Sequence, residues 1–173
     1  MGLLRNRRDD APAGTRYQMR QRLLSIGDDH WIEDEAGNRA YRVDGKALRL
    51  RKTFVLEDAS GREVARLQER KLSVRDSMAI ERHGDTVATV KKALVGIRDR
   101  YAIGVDGGED MNAKGNLVDH EYEIERDGRT VATISKRWFS IRDSYGVEIA
   151  PGEDDALVLA ITVCIDTMSH PRD

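Results

Sequence analysis

Histidines are the first residues to consider for chemistry, because imidazole acts as a general base and as a metal ligand near neutral pH. The chain contains four, His30, His83, His120 and His170. They lie in different predicted segments, and none has the spacing of HExxH or a comparable metal-binding motif. In the segment DHEYEI, His120 alternates with Tyr122 and Ile124. We therefore expect His120 to be half-buried and hydrogen-bonded rather than a ligand or a base.

Other motifs of catalysis are missing from the sequence. There is no G-x-S-x-G elbow, no P-loop, and no G-x-G-x-x-G that follows a strand. The stretch 104–108 is rich in glycine, but a phosphate cradle needs a helix directly after it, and none is predicted there. The sequence therefore predicts no catalytic residue, no metal site and no cofactor, and it argues against an enzyme.

Three aspartates recur at equivalent places, each directly after an arginine: Asp76, Asp99 and Asp143. Strand alternation puts them on the apolar face at the start of a strand. Two interpretations stay open. The carboxylates either accept hydrogen bonds from backbone N–H groups of the preceding bend, or they converge at one rim and bind a cation. Because every repeated hairpin needs the same bend, the structural interpretation is favoured.

Basic residues also recur where strands give way to hairpin bends. Seven of them form what we call the basic rim: Arg49, Arg51, Lys52, Lys91, Lys92, Lys136 and Arg137. If the bends gather at one end of the fold, these cations could hold phosphate or anionic lipid headgroups, at about 1 kcal/mol for each charge near a membrane surface. Trp138 and Phe139 follow directly and are candidates for an amphipathic contact, so Trp138 joins the candidate site. In the alternative interpretation, nearby acids neutralise a merely solvated face: Glu63, Glu69, Glu81 and Glu148.

A repeat predicts the elements that would position these residues. Gly61, Gly84 and Gly128 open the units GREVARLQERKLSVRDSMAI, GDTVATVKKALVGIRDRYAI and GRTVATISKRWFSIRDSYGV. A Val-Ala pair follows each glycine by three residues, and each unit has the pattern of a hairpin. Turn signals elsewhere, including Ala36-Gly37-Asn38 and Asp44-Gly45, bring the expected number of strands to about twelve.

The stretch DDALVLAITVCIDTM, Asp154 to Met168, is apolar on every side between residues 156 and 165. It is too short to span a bilayer, so a helix here must be wrapped by protein. A buried strand would also suit its Val and Ile content, but the acidic residues at 153–155 indicate a helix start. We expect an antiparallel sheet to close around this helix, with Ala65, Ala88 and Ala132 facing inward to make room for it.

Length and charge limit the remaining classes. The 173 residues include 29 Lys and Arg against 31 Asp and Glu, for a net charge of −2 and a pI of about 6.1. This balance argues against nucleic-acid binding. We expect a flexible arm at 1–14 and a single domain at 15–170, with the lone Cys164 buried and inert. The sequence shows no secretory or spanning segment, so a cytoplasmic location is expected, with peripheral membrane contact if lipid is bound.

Several separate stretches resemble the LURP-one-related family over residues 17–168. They are YQMRQRLLSIGDDHWIEDEAGNRAYRVDGK, GRTVATISKRWFSIRDSY and LVLAITVCIDTM. The resemblance implies the tubby-like fold, a closed antiparallel barrel of twelve strands around a central hydrophobic C-terminal helix. Tubby domains bind phosphoinositides through basic side chains, but those positions have no residue-by-residue match here and are not transferred.

Two functions remain after these steps. The first is a non-catalytic binding module that recognises anionic phospholipid or other phosphate-bearing headgroups through the basic rim. The alternative is a structural or regulatory domain that binds a protein partner and has no small-molecule ligand.

Overall fold

The computed structural model describes residues 14–20, 29–48, 51–70, 76–93, 100–139 and 143–170, with backbone alone for 46–48 and 51–52. Nearly all of the predicted N-terminal arm, together with Arg49 and Asp99, lies outside the described residues. The strands are Thr15–Arg20 (β1), His30–Asp34 (β2), Arg39–Leu48 (β3), Arg51–Asp58 (β4), Glu63–Arg70 (β5), Ser77–Arg82 (β6), Asp85–Ala93 (β7), Arg100–Val105 (β8), Met111–Asn116 (β9), Glu121–Arg126 (β10), Arg129–Ser135 (β11) and Ser144–Ile149 (β12). A 3₁₀ turn spans Lys136–Trp138, and the helix α1 spans Asp155–Ser169.

The twelve strands form a closed antiparallel barrel in which each strand pairs with its neighbours in the sequence. The first and last strands close it, since β1 pairs with β12 from Thr15 opposite Ile149 to Arg20 opposite Ser144. Closure removes free sheet edges and encloses the lumen. The predicted barrel is confirmed.

The helix α1 fills this lumen. Every residue from Leu157 to Met168 is buried, and Ala65, Ala88 and Ala132 are each 1% exposed on the surrounding strands. Asp154 caps the helix, because its side chain accepts a hydrogen bond from the Leu157 N–H at 3.0 Å. The predicted helix, the predicted cap and the three inward alanines are therefore confirmed.

The repeated Val-Ala pair has a structural cause that periodicity did not reveal. In β5, β7 and β11 the strand register shifts by one residue, which leaves Val64, Val87 and Val131 as the extra residue just before the inward alanine. Such β-bulges increase the local twist of a strand. The bulges bend the sheet over the start of the helix, where each valine packs against the core.

One predicted turn is wrong. Asp44 and Gly45 lie within β3, opposite Val55 and Phe54 of β4. An Asp-Gly pair does not always mark a turn, because glycine also lies inside strands where another group approaches the backbone closely. The Phe54 ring lies in ordinary contact with the place where a side chain at position 45 would begin, at 3.8 Å.

The up-and-down topology sorts the connections between strands into two sets. We call one end of the barrel the acidic end. It carries the start of α1 and the connections at 35–38, 59–62, 83–84, 106–110, 127–128 and 150–154. We call the other the basic end. It carries the finish of α1 and the connections at 21–29, 49–50, 71–76, 94–99, 117–120 and 136–143.

Candidate ligand-binding end of the barrel

The two ends differ in charge. By sequence, the connections of the acidic end contain seven aspartates and glutamates against one arginine. The connections of the basic end contain eight lysines and arginines against six aspartates in the sequence, but six of these cations lie outside the described residues: Arg22, Arg49, Lys71, Arg75, Arg98 and Arg142. The net charge of −2 does not reveal how charge is divided between the connections. The acids of the acidic end complement the helix dipole, whose positive end lies there.

The residues of the basic rim belong to the basic end. Lys91 and Lys92 lie near the end of β7, and Lys136 and Arg137 form the turn that leaves β11. Arg51 and Lys52 begin β4 at the same end, although their side chains, like the whole of Arg49, lie outside the described residues. The topology therefore places the four members of the predicted set whose side chains are described, Lys91, Lys92, Lys136 and Arg137, at one end of the barrel.

Lys91 and Lys92 face opposite sides of the sheet, although the sequence pattern groups them as a pair. Lys91 is exposed on the outer surface. Lys92 is half-buried, on the face that Val90 presents to the lumen, and it lies directly opposite the fully buried Tyr101. Only Lys91 is thus available on the outer surface, while Lys92 lines the mouth of the lumen.

The turn at Lys136 and Arg137 is organised by Glu121 of β10. The Glu121 carboxylate accepts hydrogen bonds from the Lys136 N–H at 3.0 Å and from the Ser135 hydroxyl at 2.9 Å. Ser135 in turn accepts from the Arg137 N–H at 3.1 Å. The Arg137 side chain remains 86% exposed, 4.0 Å from Glu121. One carboxylate therefore fixes the backbone and leaves the guanidinium open to solvent.

Trp138 and Phe139 are half-buried and pack on the outer wall of the barrel. A Cβ atom at Gly146 in β12 would lie 2.7 Å from carbon atoms of both rings. The guanidinium of Arg16 lies 5.2 Å from the centre of the Trp138 ring. Glycine at 146 is needed for this close approach, and the packing leaves cations rather than aromatic rings to meet a ligand.

Three of the four acids expected to neutralise the rim lie toward the acidic end. Each contacts an arginine of the barrel wall: Glu63 contacts Arg66, Glu81 contacts Arg70, and Glu148 contacts Arg16. Only Glu69 lies near the rim, one residue before the end of β5. The described connections of the basic end nevertheless contain the acids Asp29, Asp76, Asp119 and Asp143, so the neutralised-face interpretation stays an alternative.

The structure adds two cations that the sequence analysis did not single out. A groove of about 460 Å³ runs over β8 to β11, where Arg100, Lys114 and Glu121 line it. Gly115, at φ 134°, provides the opening because a side chain there would meet the backbone of Glu121 and Tyr122. The groove shares Glu121 with the Lys136 turn. Its lining also includes Glu123, and Lys114 lies 2.8 Å from Glu125, so the groove is mixed in charge.

The recurring aspartates do not face the apolar side as predicted. Asp76 and Asp143 are exposed, and within the described residues neither side chain makes a hydrogen bond. Asp143 adopts a left-handed conformation at φ 63°, which interrupts the alternation used to place it. Asp99 lies outside the described residues. A structural role at the bends remains a prediction for all three.

A buried polar cluster, missed by sequence reasoning, lies where α1 finishes. The His120 Nε2 atom is 2.5 Å from Asp166 Oδ1, and both residues are buried. The Nδ1 atom of His170 lies 3.4 Å from the same oxygen. Burial alone would raise the pKa of Asp166, but the hydrogen bonds with the two histidines hold it below its ordinary value. The hydrogen bond with Asp166 raises the pKa of His170, against the opposing effect of burial.

The sequence signal for this cluster was Asp166, a charged residue directly after the apolar run at 156–165. The expectation that His120 makes a hydrogen bond is confirmed, although the side chain is fully rather than half buried, at 3% exposure. Tyr101 extends the cluster, because its hydroxyl lies 3.1 Å from that of Ser169. The mouth of the lumen at the basic end is therefore polar.

The architecture is that of a twelve-stranded antiparallel barrel closed around a hydrophobic helix. A model of the LURP-one-related family matches residues 15–166, so the chain belongs to this family. Comparison with curated protein sequences finds no match. A protein from Arabidopsis thaliana with a known X-ray structure superimposes with a TM-score of 0.67 at 18% identity, over 92% of this chain and 94% of that one. That likeness shows the shared fold.

Family and fold together indicate a tubby-like binding domain. Among the described residues, no helix has both the length and the apolar character needed to cross a bilayer.

Proposed function

We propose that this protein is a non-catalytic binding module that holds a phosphate-bearing anion at the basic end of its barrel. The observation that carries the proposal is the set of exposed cations on three described elements of this end, the strands β7 and β8 and the turn at 136–138. Phosphate groups bind where several Lys and Arg side chains can reach them together. Lys91, Arg137 and Arg100 are exposed there.

Two kinds of ligand carry such a phosphate group: a lipid headgroup at a membrane surface and a soluble phosphorylated molecule. Lipid binding makes the protein peripheral at a cytoplasmic membrane surface. The rings of Trp138 and Phe139 contribute little to it, because they pack on β12. Attraction by exposed charges is screened over about 8 Å at physiological ionic strength. Binding should therefore weaken steeply as salt is added.

Co-sedimentation with vesicles tests the proposal. Vesicles of phosphatidylcholine alone are compared with vesicles that also contain phosphatidylserine or a phosphoinositide, and soluble inositol phosphate serves as competitor. We expect retention on anionic vesicles, lost when Lys91, Lys136 and Arg137 are replaced together by Glu. Release by inositol phosphate identifies the headgroup as the ligand, and binding of inositol phosphate without vesicle retention identifies a soluble ligand.

The control variant replaces Arg39, Arg62 and Arg129 by Glu. It makes the same change in net charge, on exposed residues of the acidic end, and should bind as the wild type does. Equal losses in the two variants would show that net charge rather than the basic end governs binding. No binding of any probe by the intact protein would overturn the proposal and favour the protein-interaction domain.

A further inference from the structure

The buried cluster at the finish of α1 brings together three groups that are good metal ligands. His120 ends the connection from β9 to β10, Asp166 lies in the last turn of α1, and His170 follows the helix directly. Their ligand atoms all lie within 4.8 Å of one another. His120 and Asp166 are buried, whereas the His170 side chain is 39% exposed. The cluster is independent of the basic rim residues.

The hydrogen bonds of His170 determine which of its nitrogens faces the cluster. Its Nε2 atom lies 3.0 Å from the carbonyl oxygen of Val118. A carbonyl oxygen can only accept, so Nε2 carries the hydrogen in the neutral ring. The lone pair of Nδ1 then faces the carbonyl oxygen of Asp166 at 3.2 Å and its carboxylate at 3.4 Å. The Nδ1 lone pair and these two oxygens repel one another. Only a positive charge between them, either a proton or a metal ion, removes this repulsion.

The ring of His120 is held in place by stacking. Its centre lies 4.1 Å from that of Tyr145 on one contact and 5.2 Å from that of His170 on another, with interplanar angles of 23° and 10°. This packing points Nε2 at Asp166. The bond from His170 to Val118 is the kind of outer contact that orients histidine ligands around metals. Two imidazoles and a carboxylate are therefore arranged before any ion arrives.

We propose that His120 Nε2, Asp166 Oδ1 and His170 Nδ1 bind one divalent transition-metal ion, for which Zn²⁺ is the best match. Nitrogen ligands favour Zn²⁺ over Mg²⁺ and Ca²⁺, which prefer oxygen. Zn²⁺ accepts three protein ligands and a fourth from solvent. The exposed side of His170 supplies the route for entry and the place for that fourth ligand. The ion replaces the proton between His120 and Asp166 and ties the helix to the connection from β9 to β10. The two ligand atoms, now 2.5 Å apart, must separate on binding, because ligands of a tetrahedral Zn²⁺ lie about 3.3 Å from one another.

Metal titration of the untagged chain, stripped by a chelator, tests the site. The probes are Zn²⁺ followed by calorimetry, and Co²⁺ followed by its visible absorption, at mildly alkaline pH where imidazole is neutral. We expect one ion per chain, a raised melting temperature, and a cobalt spectrum typical of four ligands. Replacing His170 by Gln should weaken binding by more than about tenfold, the scale on which even outer-shell losses act. His170 is the residue of choice because its partial exposure lets the variant fold.

The matched control is His83→Asn, which removes an exposed imidazole at the acidic end and suits the left-handed backbone found there. It should bind Zn²⁺ as the wild type does. Failure of the wild type to bind Zn²⁺ would overturn the proposal, as would equal affinity in the wild type and in His170→Gln. Zinc binding and vesicle binding are measured in separate experiments. Failure of the zinc proposal therefore does not affect the test of the phosphate-binding proposal, and the reverse also holds.

Discussion

At the acidic end the helix begins among carboxylates that meet arginine or tyrosine, and at the basic end it finishes on a carboxylate that meets histidine. Asp154 accepts two hydrogen bonds from Arg82, at 2.6 and 2.9 Å. Glu153 accepts two from Arg126, at 2.8 and 2.9 Å. Asp166 instead meets the imidazoles of His120 and His170. The helix therefore begins on carboxylates paired with arginine and finishes on a carboxylate that lies between two histidines.

The ends also differ in how completely their polar atoms are satisfied. In the described part of the basic end, the Nδ1 atom of His120 and the hydroxyl of Tyr145 are buried without a hydrogen-bond partner. At the acidic end, Arg82 has one unpartnered nitrogen but donates from the other two. Buried groups that lack partners cost stability, and proteins retain them chiefly at functional sites. The difference agrees with the proposal that ligands bind at the basic end.

The largest effect is expected from the helix that joins both ends. Leu159 is fully buried in the barrel. An Asp at this position would place an unpaired charge in the core, at a cost of several kcal/mol against a total stability of about 5–15 kcal/mol. We expect no soluble folded protein. Val118→Asp, at a position 49% exposed, is the control and should fold. A soluble Leu159→Asp protein with an unchanged circular dichroism spectrum would contradict the central helix.

Removal of Asp166 should have the next largest effect. With a chelator present, Asp166→Ala is expected to lower the free energy of unfolding by about 3–5 kcal/mol, because it leaves a buried histidine without its partner. Urea unfolding measures the loss. We expect the loss of stability in Asp166→Ala to exceed the loss in Asp154→Ala, because the carboxylate at the basic end is the more deeply buried. A larger loss in Asp154→Ala would contradict this difference between the two ends.

Asp154 should contribute a smaller amount, because its side chain is 46% exposed. Loss of the helix cap in Asp154→Ala is expected to cost about 0.5–2 kcal/mol. The hydrogen bond from Arg82 lowers the pKa of Asp154, partly opposed by burial. A lowered pKa stabilises the fold above the unfolded value, and this contribution disappears as pH falls through the folded value. Below about pH 4, the wild type should therefore lose more stability than Asp154→Asn, as acid unfolding curves would show.

The smallest effects are expected at the two described aspartates of the repeat. Asp76 is exposed, and its side chain makes no hydrogen bond with the described residues, so Asp76→Ala should change stability by less than about 0.5 kcal/mol. A loss of about 1–3 kcal/mol would instead support the predicted hydrogen bonds with the bend. Asp143, at φ 63°, should lose up to about 1 kcal/mol when replaced by Ala and little when replaced by Gly, since Gly and the short polar side chain of Asp tolerate left-handed backbone better than Ala does. Thermal melts compare the three variants. Equal losses in Asp143→Ala and Asp143→Gly would point to the carboxylate rather than the backbone.

Sequence by itself determined the barrel, its dozen strands and the helix inside it. The period of two, the turn signals and the apolar run of α1 are local properties that report which residues must be buried. The three inward alanines followed from the same parity. Parity failed at Asp143, where a left-handed residue interrupts the strand pattern, and at the Val-Ala pairs, where a bulge adds a residue.

Tertiary structure alone decided which groups meet at each end. The charge asymmetry depends on which connections share an end, and opposite charges cancel in any count along the chain. His120 and Asp166 are separated by 46 residues yet lie in hydrogen-bond contact. Their meeting depends on the strand register and on the depth of α1 in the lumen. Neither the strand register nor the depth of α1 leaves a local pattern in the sequence, because the closed barrel of twelve paired strands fixes them together.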